Sequence, residues 1–311
     1  MKHIYYICNL QAGKAELGNY LGSILDQMTK ADYEVTVRPT QAVEDAITAT
    51  TAAVNSGCYD YIFCSGGDGT LHEVLTGMLH AEQTIPVGYI PSGSMNDFAK
   101  SMTIPRDMEK ACAAVLKGTP RSIDIGTVND RGFSYVVAFG AFTDVTYETS
   151  QAVKNVLGPV AYMFNAVKKI SNIRAYPMRI TCDGEVIEDE FIYGMVSNSA
   201  SVGGGILDIS DFCFDDGKFE VILVKKQESL AELHKTISFL RDMKEISNEQ
   251  GIYCLRASDV TIELLEKTNV PWTIDGEYLP NESKFHIVNH KQAVSFLVPE
   301  TCPMNYFHQA E

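Results

Sequence analysis

The residues best placed to do chemistry lie in Cys64-Ser65-Gly66-Gly67-Asp68-Gly69-Thr70. Three glycines within four residues let the main chain take positive φ and approach a ligand closely. The amides of such a turn, backed by a helix N-terminus, seat a phosphate group. A carboxylate inside that seat repels phosphate unless a divalent cation or a proton-donating substrate lies between them. Gly66, Gly67, Asp68, Gly69 and Thr70 together therefore point to phosphoryl transfer from a metal-bound nucleotide. A plain strand-to-helix turn is the bland reading of a lone loop of this kind. The Walker pattern is absent, as are a G-x-G-x-x-G opening a first βα unit, the protein-kinase signature set and a G-x-S-x-G elbow.

A frame must hold this loop. Tyr59–Cys64 reads as a strand entering it, and Leu71–Leu79 as an amphipathic helix leaving it. The first third alternates throughout. Strands are expected at Ile4–Cys8, Tyr33–Arg38 and Pro86–Ile90. Helices are expected at Ala15–Lys30, Ala42–Asn55, Met95–Met102 and Met108–Lys117. Such alternation implies a parallel sheet covered on both faces, with ligands at the carboxyl ends of its strands. Asn9 with the Ala12-Gly13-Lys14 turn, and Thr40, occupy two further strand ends.

From about Ser122 short runs rich in Val, Ile, Phe and Tyr are broken by turn residues. Phe133–Ala138, Arg179–Cys182, Glu190–Ser197, Phe219–Val224, Asp259–Leu264, Trp272–Ile274, Lys284–Val288 and Ala293–Leu297 predict an antiparallel sheet region. Helical inserts are expected around 154–179 and at Ser229–Met243. The expected fold class is α/β: an N-terminal doubly wound parallel-sheet domain over 1–121, to which the tail 300–311 returns, and a mainly antiparallel β-sandwich domain with helical inserts over 122–299. The cleft between them is the natural active site.

Composition narrows the partners. The chain has 311 residues and an apolar share of 45%, enough for two cores. No apolar run is long enough to span a bilayer, and the N-terminus lacks the features of a secretory leader. The eight cysteines form no C-x-x-C pair, which favours reduced, mostly buried thiols in the cytoplasm over a zinc site. A formal charge of −15 argues against nucleic-acid binding and against adsorption of the whole body to anionic lipid. One segment departs from this. Between Thr149 and Cys182 there is no acidic residue, yet Lys154, Lys168, Lys169, Arg174 and Arg179 fall there among apolar residues. Such an island suits a membrane-facing patch or a helix with a solvated basic face.

The motifs in order resemble the bacterial diacylglycerol kinase catalytic family, which includes soluble diacylglycerol kinases and YegS-like lipid kinases. The resemblance runs nearly end to end. It rests on Cys8-Asn9 with Ala12-Gly13-Lys14, Gly66-Gly67-Asp68-Gly69-Thr70 and Pro91-Ser92-Gly93-Ser94-Met95-Asn96-Asp97-Phe98-Ala99. It continues through Asp124-Ile125-Gly126, Leu157-Gly158-Pro159, Gly203-Gly204-Gly205, Asp216-Gly217 and Ile274-Asp275-Gly276-Glu277. It implies ATP-dependent transfer of a γ-phosphoryl group to a lipid hydroxyl, most simply diacylglycerol giving phosphatidic acid. By matched motif, Thr40, Gly66 to Thr70, Ser94 and Asn96 would contact the nucleotide, with Asn9 and Lys14 near its phosphates. Ser94 stands where the family usually has Thr, and His72 where it commonly has Asn.

The resemblance also implies a structural Mg²⁺ held by the Asp216 side chain and the carbonyls of Cys213 and Lys218. It makes Glu277 the leading general base, with Asp68 as the alternative base or as a carboxylate acting on a catalytic Mg²⁺. Asp-Gly-Glu occurs at 183–185 and 275–277, and the first copy is expected to be structural. The lipid acceptor implies transient, peripheral membrane contact, for which Lys154, Lys168, Lys169 and Arg174 are the candidates. Relatives of this kind can form homodimers. An NAD-kinase-like phosphotransferase with a soluble acceptor and a catalytically silent lipid-binding protein are the competing readings.

Overall fold

Burial at alternate and neighbouring positions turns each apolar run into the element that its period demands. Ile4, Tyr6, Ile7 and Cys8 are fully buried on β1 (Lys2–Cys8). The chain continues through α1 (Leu17–Lys30), β2 (Tyr33–Pro39), α2 (Asp45–Asn55), β3 (Tyr61–Gly66), α3 (Asp68–Leu79), β4 (Val87–Pro91), α4 (Asp97–Ser101) and α5 (Met108–Leu116). The computed structural model describes residues 1–141, 143, 173–202, 207–208, 212–229, 231–232, 235–236, 238–239 and 251–308. The strand order β4-β3-β1-β2 is parallel throughout, with Ile4 paired to both Val35 and Tyr61. The chain moves outward from β1 to β2, then returns to the other side of β1 at β3. The crevice beyond the carboxyl ends of β1 and β3 is thus a topological switch point.

The remaining strands are β5 (Thr119–Val128), β6 (Arg131–Phe133), β7 (Val136–Gly140), β8 (Tyr176–Cys182), β9 (Glu185–Ser197), β10 (Ser201–Val202), β11 (Leu207–Asp208), β12 (Phe219–Lys225), β13 (Ile252–Ala257), β14 (Asp259–Leu264), β15 (Trp272–Ile274), β16 (Glu277–Leu279) and β17 (Lys284–Val298). Their pairings are antiparallel, except where Phe296 of β17 meets Val87 of β4 in parallel. Main-chain bonding therefore runs from the parallel sheet into the antiparallel region through β17. The architecture is a mixed α/β fold with a parallel-sheet core and a C-terminal antiparallel β-sandwich region, the expected class. Trp272 lies between Phe139, at 4.9 Å, and Phe285, at 4.0 Å, between ring centroids. That stack fixes β15 immediately before the Asp275-Gly276 turn.

Several elements differ from expectation for identifiable reasons. The helix after the glycine loop begins at Asp68 rather than Leu71, because Gly67 is extended and acts as its N-cap. The run Phe133–Ala138 is broken at Ser134 and Tyr135, whose main-chain N–H groups go to the Asp275 carboxylate instead of a neighbouring strand. The two runs at 284–297 are one strand, β17, whose register on β5 shifts between His290 and Val294. β5 begins at Thr119, before the change of texture at Ser122, and β13 was not anticipated. Of the basic island, Lys154, Lys168 and Lys169 lie outside the described residues. Arg174 is exposed and sits over the Tyr176 ring. Among the described residues no helix is long and apolar enough to cross a membrane.

Candidate active site

The glycine loop is built for close approach rather than for unusual φ. None of Gly66, Gly67 and Gly69 has positive φ, contrary to the sequence expectation. Gly66 and Gly69 instead have a neighbour where a Cβ would go, the Thr70 side chain and the carboxylate of Glu277 respectively. Across from Gly67, a Cβ on Gly93 would meet the Cα of Gly67. Gly66 accepts main-chain bonds from Ser92 (2.8 Å) and Gly93 (3.2 Å), so the loops after β3 and β4 lie back to back. No side chain caps α3, which leaves its N-terminal turn open toward the crevice.

The other motif residues surround this seat. Asn9 donates its main-chain N–H to Ser65 (2.8 Å), and its Nδ2 to Thr70 Oγ1 (3.1 Å). Thr40 follows β2 and is tied to the Cys8 carbonyl at 2.9 Å. Lys14 and Ser94 are exposed on their loops. Gly13, at φ +60°, lies against the Ser92 carbonyl, so the Lys14 turn and the Ser94 loop are in contact. Asn96 is buried at φ +52°. Its Oδ1 accepts from the Gly93 N–H (3.0 Å) and its Nδ2 donates to the Gly93 carbonyl (2.8 Å). Its side chain therefore shapes the Gly93 loop.

Asp68 is the first residue of α3 and is 8% exposed. Its Oδ2 accepts from the Asp97 N–H at 3.4 Å, at the N-terminus of α4, and its Oδ1 is buried with no protein partner. Burial, followed by the charges of Asp97 and Asp275, pushes its pKa up to about 7. Asp97 is held in turn by Lys100 Nζ at 2.7 Å. The orphaned Asp68 oxygen, among other carboxylates, is the donor chemistry that suits Mg²⁺, which takes oxygen ligands and retains water. The residues present thus fit a divalent cation carried with a nucleotide.

Glu277 reaches this place from the other half of the fold. The turn before it is a type I′ hairpin, with Asp275 at φ +48° and Gly276 at +82°. Asp275 is 4% exposed and accepts four bonds. They come from the Ser134 N–H (2.7 Å) and hydroxyl (2.8 Å), and from the N–H groups of Tyr135 and Val136 (each 3.0 Å). This clamp fixes β16 and brings the Glu277 carboxylate over Gly69. Desolvation raises the Glu277 pKa; His72 opposes the rise, while Asp275 and Glu73 add to it. His72, on α3, places its Nδ1 3.8 Å from Asp275 Oδ2. The sequence reading missed Asp275, because Asp-Gly is an ordinary hairpin dipeptide and its four donors lie about 140 residues away.

The first Asp-Gly-Glu copy forms the same turn, with Asp183 at φ +46° and Gly184 at +91°. Its carboxylate is held by the Ser258 hydroxyl, the N–H groups of Ser258 and Asp259, and Lys218 Nζ. Glu185 begins β9 with Cys182 opposite it, away from any glycine loop. The two triplets are thus alike in backbone and differ only in what they face.

The expected metal loop lies elsewhere. Asp216 Oδ1 accepts from the Lys218 N–H at 2.8 Å. Beside it Asp124, fully buried, takes the N–H groups of Gly217 (2.5 Å) and Gln292 (2.7 Å). Burial pushes the Asp124 pKa up to about 6. Oxygen donors around Asp216 suit Mg²⁺. Cys213 is buried, and its thiol donates to Asp215 Oδ1 at 3.0 Å.

Comparison with known proteins shows the family and the fold. The family described as "Diacylglycerol kinase catalytic domain" matches residues 3–128, and "YegS C-terminal NAD kinase beta sandwich-like domain" matches 136–292. A diacylglycerol kinase of Staphylococcus carnosus (strain TM300) is 31% identical over 96% of this chain and 96% of its own length. One of Bacillus subtilis (strain 168) is 32% identical over 91% of this chain and 93% of its own. A crystal structure of a diacylglycerol kinase from Bacillus anthracis str. Sterne superimposes with a TM-score of 0.73 at 22% identity, covering 97% of this chain and 98% of the other, which shows the shared fold. A parallel-sheet crevice with an aspartate in a glycine loop, closed by a sandwich that delivers a glutamate, accompanies these matches, and the chain belongs to the diacylglycerol kinase catalytic family of lipid kinases.

Proposed function

We propose that this chain transfers the γ-phosphoryl group of ATP to the hydroxyl of a membrane lipid, with diacylglycerol as acceptor and phosphatidic acid as product. The observation that carries this reading is the contact of the Glu277 carboxylate with Gly69, one residue from Asp68. A base, a phosphate seat and a buried carboxylate with an orphaned oxygen share one crevice. Gly66 to Thr70, Thr40 and Ser94 line the nucleotide side, with Asn9 and Asn96 holding the loops in shape and Lys14 near the phosphates. Mg²⁺, when bound, neutralises phosphate charge and polarises the transferred group.

Glu277 accepts the proton of the lipid hydroxyl as that oxygen bonds to the γ-phosphorus. The bond from phosphorus to the β–γ bridging oxygen breaks, and ADP departs with the electron pair. Partial desolvation keeps Glu277 more basic than an ordinary carboxylate, which favours this role. Asp68 serves the cation side. A second Mg²⁺, on Asp216 with the carbonyls of Cys213 and Lys218, would brace the loop beside Asp124. The protein works in the cytoplasm, docking transiently on membrane through the segment containing Lys154, Lys168, Lys169 and Arg174. Lys168→Glu with Lys169→Glu lowers sedimentation with anionic vesicles; unchanged sedimentation rejects that docking face.

The deciding experiment supplies γ-labelled ATP with a lipid panel in mixed micelles and, separately, with NAD and other water-soluble acceptors. Label is expected in a lipid phosphomonoester, and Asp68→Ala and Glu277→Ala each remove it while the circular dichroism is unchanged. Label in a soluble acceptor, or full activity in both variants, overturns the reading.

A further inference from the structure

Apart from the groups that line the glycine loop, three side chains from two distant segments of the chain meet with their donor atoms facing one another. Cys213 Sγ lies 3.0 Å from Asp215 Oδ1 and 3.1 Å from His308 Nδ1, and His308 Nδ1 lies 3.4 Å from Asp215 Oδ1. Thiol, carboxylate and imidazole are the donors of zinc sites. Zinc bonds of ~2.3 Å to sulfur and ~2.0–2.2 Å to nitrogen and oxygen place tetrahedral neighbours roughly 3.3–3.6 Å apart. The two edges to sulfur, at 3.0 and 3.1 Å, fall short of that by about half an ångström, and the third, at 3.4 Å, matches it. A cation seated above the triangle reaches all three donors with small side-chain adjustments.

The donors are also held by their own backbones. The His308 N–H donates to Asp215 Oδ1 at 2.8 Å, and the Phe214 N–H to the Tyr306 carbonyl at 2.8 Å. Phe214 packs its ring on Phe212, Tyr306 and Phe307 at centroid distances of 4.6, 6.1 and 5.5 Å. The Cys213–Asp215 loop and the C-terminal tail are thus locked together on either side of the cluster.

We infer that Cys213, Asp215 and His308 form a zinc site that clasps the C-terminal tail to the loop before β12, with a water completing the shell. The donor set selects the metal. A thiolate with an imidazole favours Zn²⁺ over Mg²⁺, which prefers oxygen alone. Charge balances as well: thiolate and carboxylate neutralise the dication in a partly buried place. The thiol proton leaves to bulk water on binding. The site differs from the Mg²⁺ loop in the atoms used, since Cys213 enters through Sγ and not through its carbonyl. Absence of C-x-x-C is no objection, because Cys213 and His308 are 95 residues apart and leave no spacing signature. The inference does not depend on the kinase reading.

The test uses the full chain, reduced and stripped with a chelator. Zn²⁺ is titrated by calorimetry, and Co²⁺ by absorption in the thiolate-to-metal charge-transfer region. A single equivalent should bind, with a thiolate band, and a large excess of Mg²⁺ should not displace it. His308→Ala should weaken Zn²⁺ binding on the order of 100-fold or more, since even loss of an outer-shell partner costs up to that much. Folding is not at stake in that variant, because the side chain is 66% exposed. Cys213→Ser should remove the thiolate band. Wild-type affinity in His308→Ala, or no thiolate band with Co²⁺ in the wild type, overturns the site.

Discussion

The carboxylate of Glu277 lies against the Cα of Gly69, leaving no room between them for a methyl group. Glu277 opens a strand near the end of the antiparallel region, and Gly69 stands in the first turn of α3. Two halves of the fold therefore close on each other at the residue next to Asp68. A glutamate in this position can act on a group bound at the open end of α3.

Gly69→Ala separates catalysis from stability. Gly69 is helical without positive φ, so alanine suits its backbone. The group displaced is the far end of a flexible glutamate, so the fold tolerates the change within about 1 kcal/mol. Moving that carboxylate by about an ångström should reduce turnover on the order of 100-fold. Phosphoryl transfer to lipid and thermal melting are measured on the same sample. Undiminished turnover shows that the contact has no catalytic meaning.

Asp68→Asn should gain stability while losing activity. The folded pKa of Asp68 is raised to about 7 from an ordinary 3.8, chiefly by burial. The folded state therefore holds its proton where the unfolded state has lost it, and stability falls as pH rises between those values. Above pH 7 the full penalty applies, on the order of 4 kcal/mol at ~1.4 kcal/mol per unit. The amide carries no charge and escapes it. The apo variant should melt higher than wild type at pH 8, with a smaller difference at pH 5. Added Mg²⁺-nucleotide should narrow the gap by stabilising the wild type alone. A variant that melts lower at pH 8 contradicts the raised pKa.

Asp275→Ala should damage both properties together. Its carboxylate satisfies three main-chain N–H groups and the Ser134 hydroxyl in the interior. Alanine leaves those donors buried and unpaired, at a cost on the order of 3 kcal/mol or more, and is strained at φ +48°. Asp275→Asn keeps the left-handed turn and should recover part of the stability. Denaturant melts of both variants decide the matter; a wild-type midpoint for Asp275→Ala removes the clamp from the argument.

Much of this was legible in the sequence, and the remainder shows where local pattern stops. The strand, glycine loop and helix around Asp68 read directly, because βα alternation and glycine spacing are local signals. The positive φ expected of the loop glycines was wrong, since Gly66 and Gly69 answer to close neighbours rather than to backbone strain, and Gly67 makes room for Gly93. Only one of those neighbours, Thr70 beside Gly66, is near in sequence. Asp275 was hidden for the same reason: its turn looks like that of Asp183, and only the facing strand distinguishes them. The Cys213, Asp215 and His308 cluster has no period or spacing at all, because a loop and a tail meet through aromatic packing.

His72 supplies the remaining test, because its imidazole is the one influence on Glu277 that opposes the rise in its pKa. Its Nδ1 faces Asp275 Oδ2 at 3.8 Å, and its side chain is 14% exposed. A protonated imidazole there favours the ionised form of Glu277 and so lowers that group's pKa, against the upward push of burial, Asp275 and Glu73. Replacing His72 by Asn removes the only one of these influences that lowers it. The Glu277 pKa should rise, and the acid limb of kcat/KM against pH, where the base becomes protonated, should move toward higher pH. Stability should fall modestly at most, because the imidazole Nδ1 makes no hydrogen bond and, when protonated, only a 3.8 Å ion pair with Asp275. The readout is the pH–rate profile of the two proteins measured on one lipid substrate at saturating nucleotide. A limb that stays in place, or moves to lower pH, means that His72 does not tune Glu277.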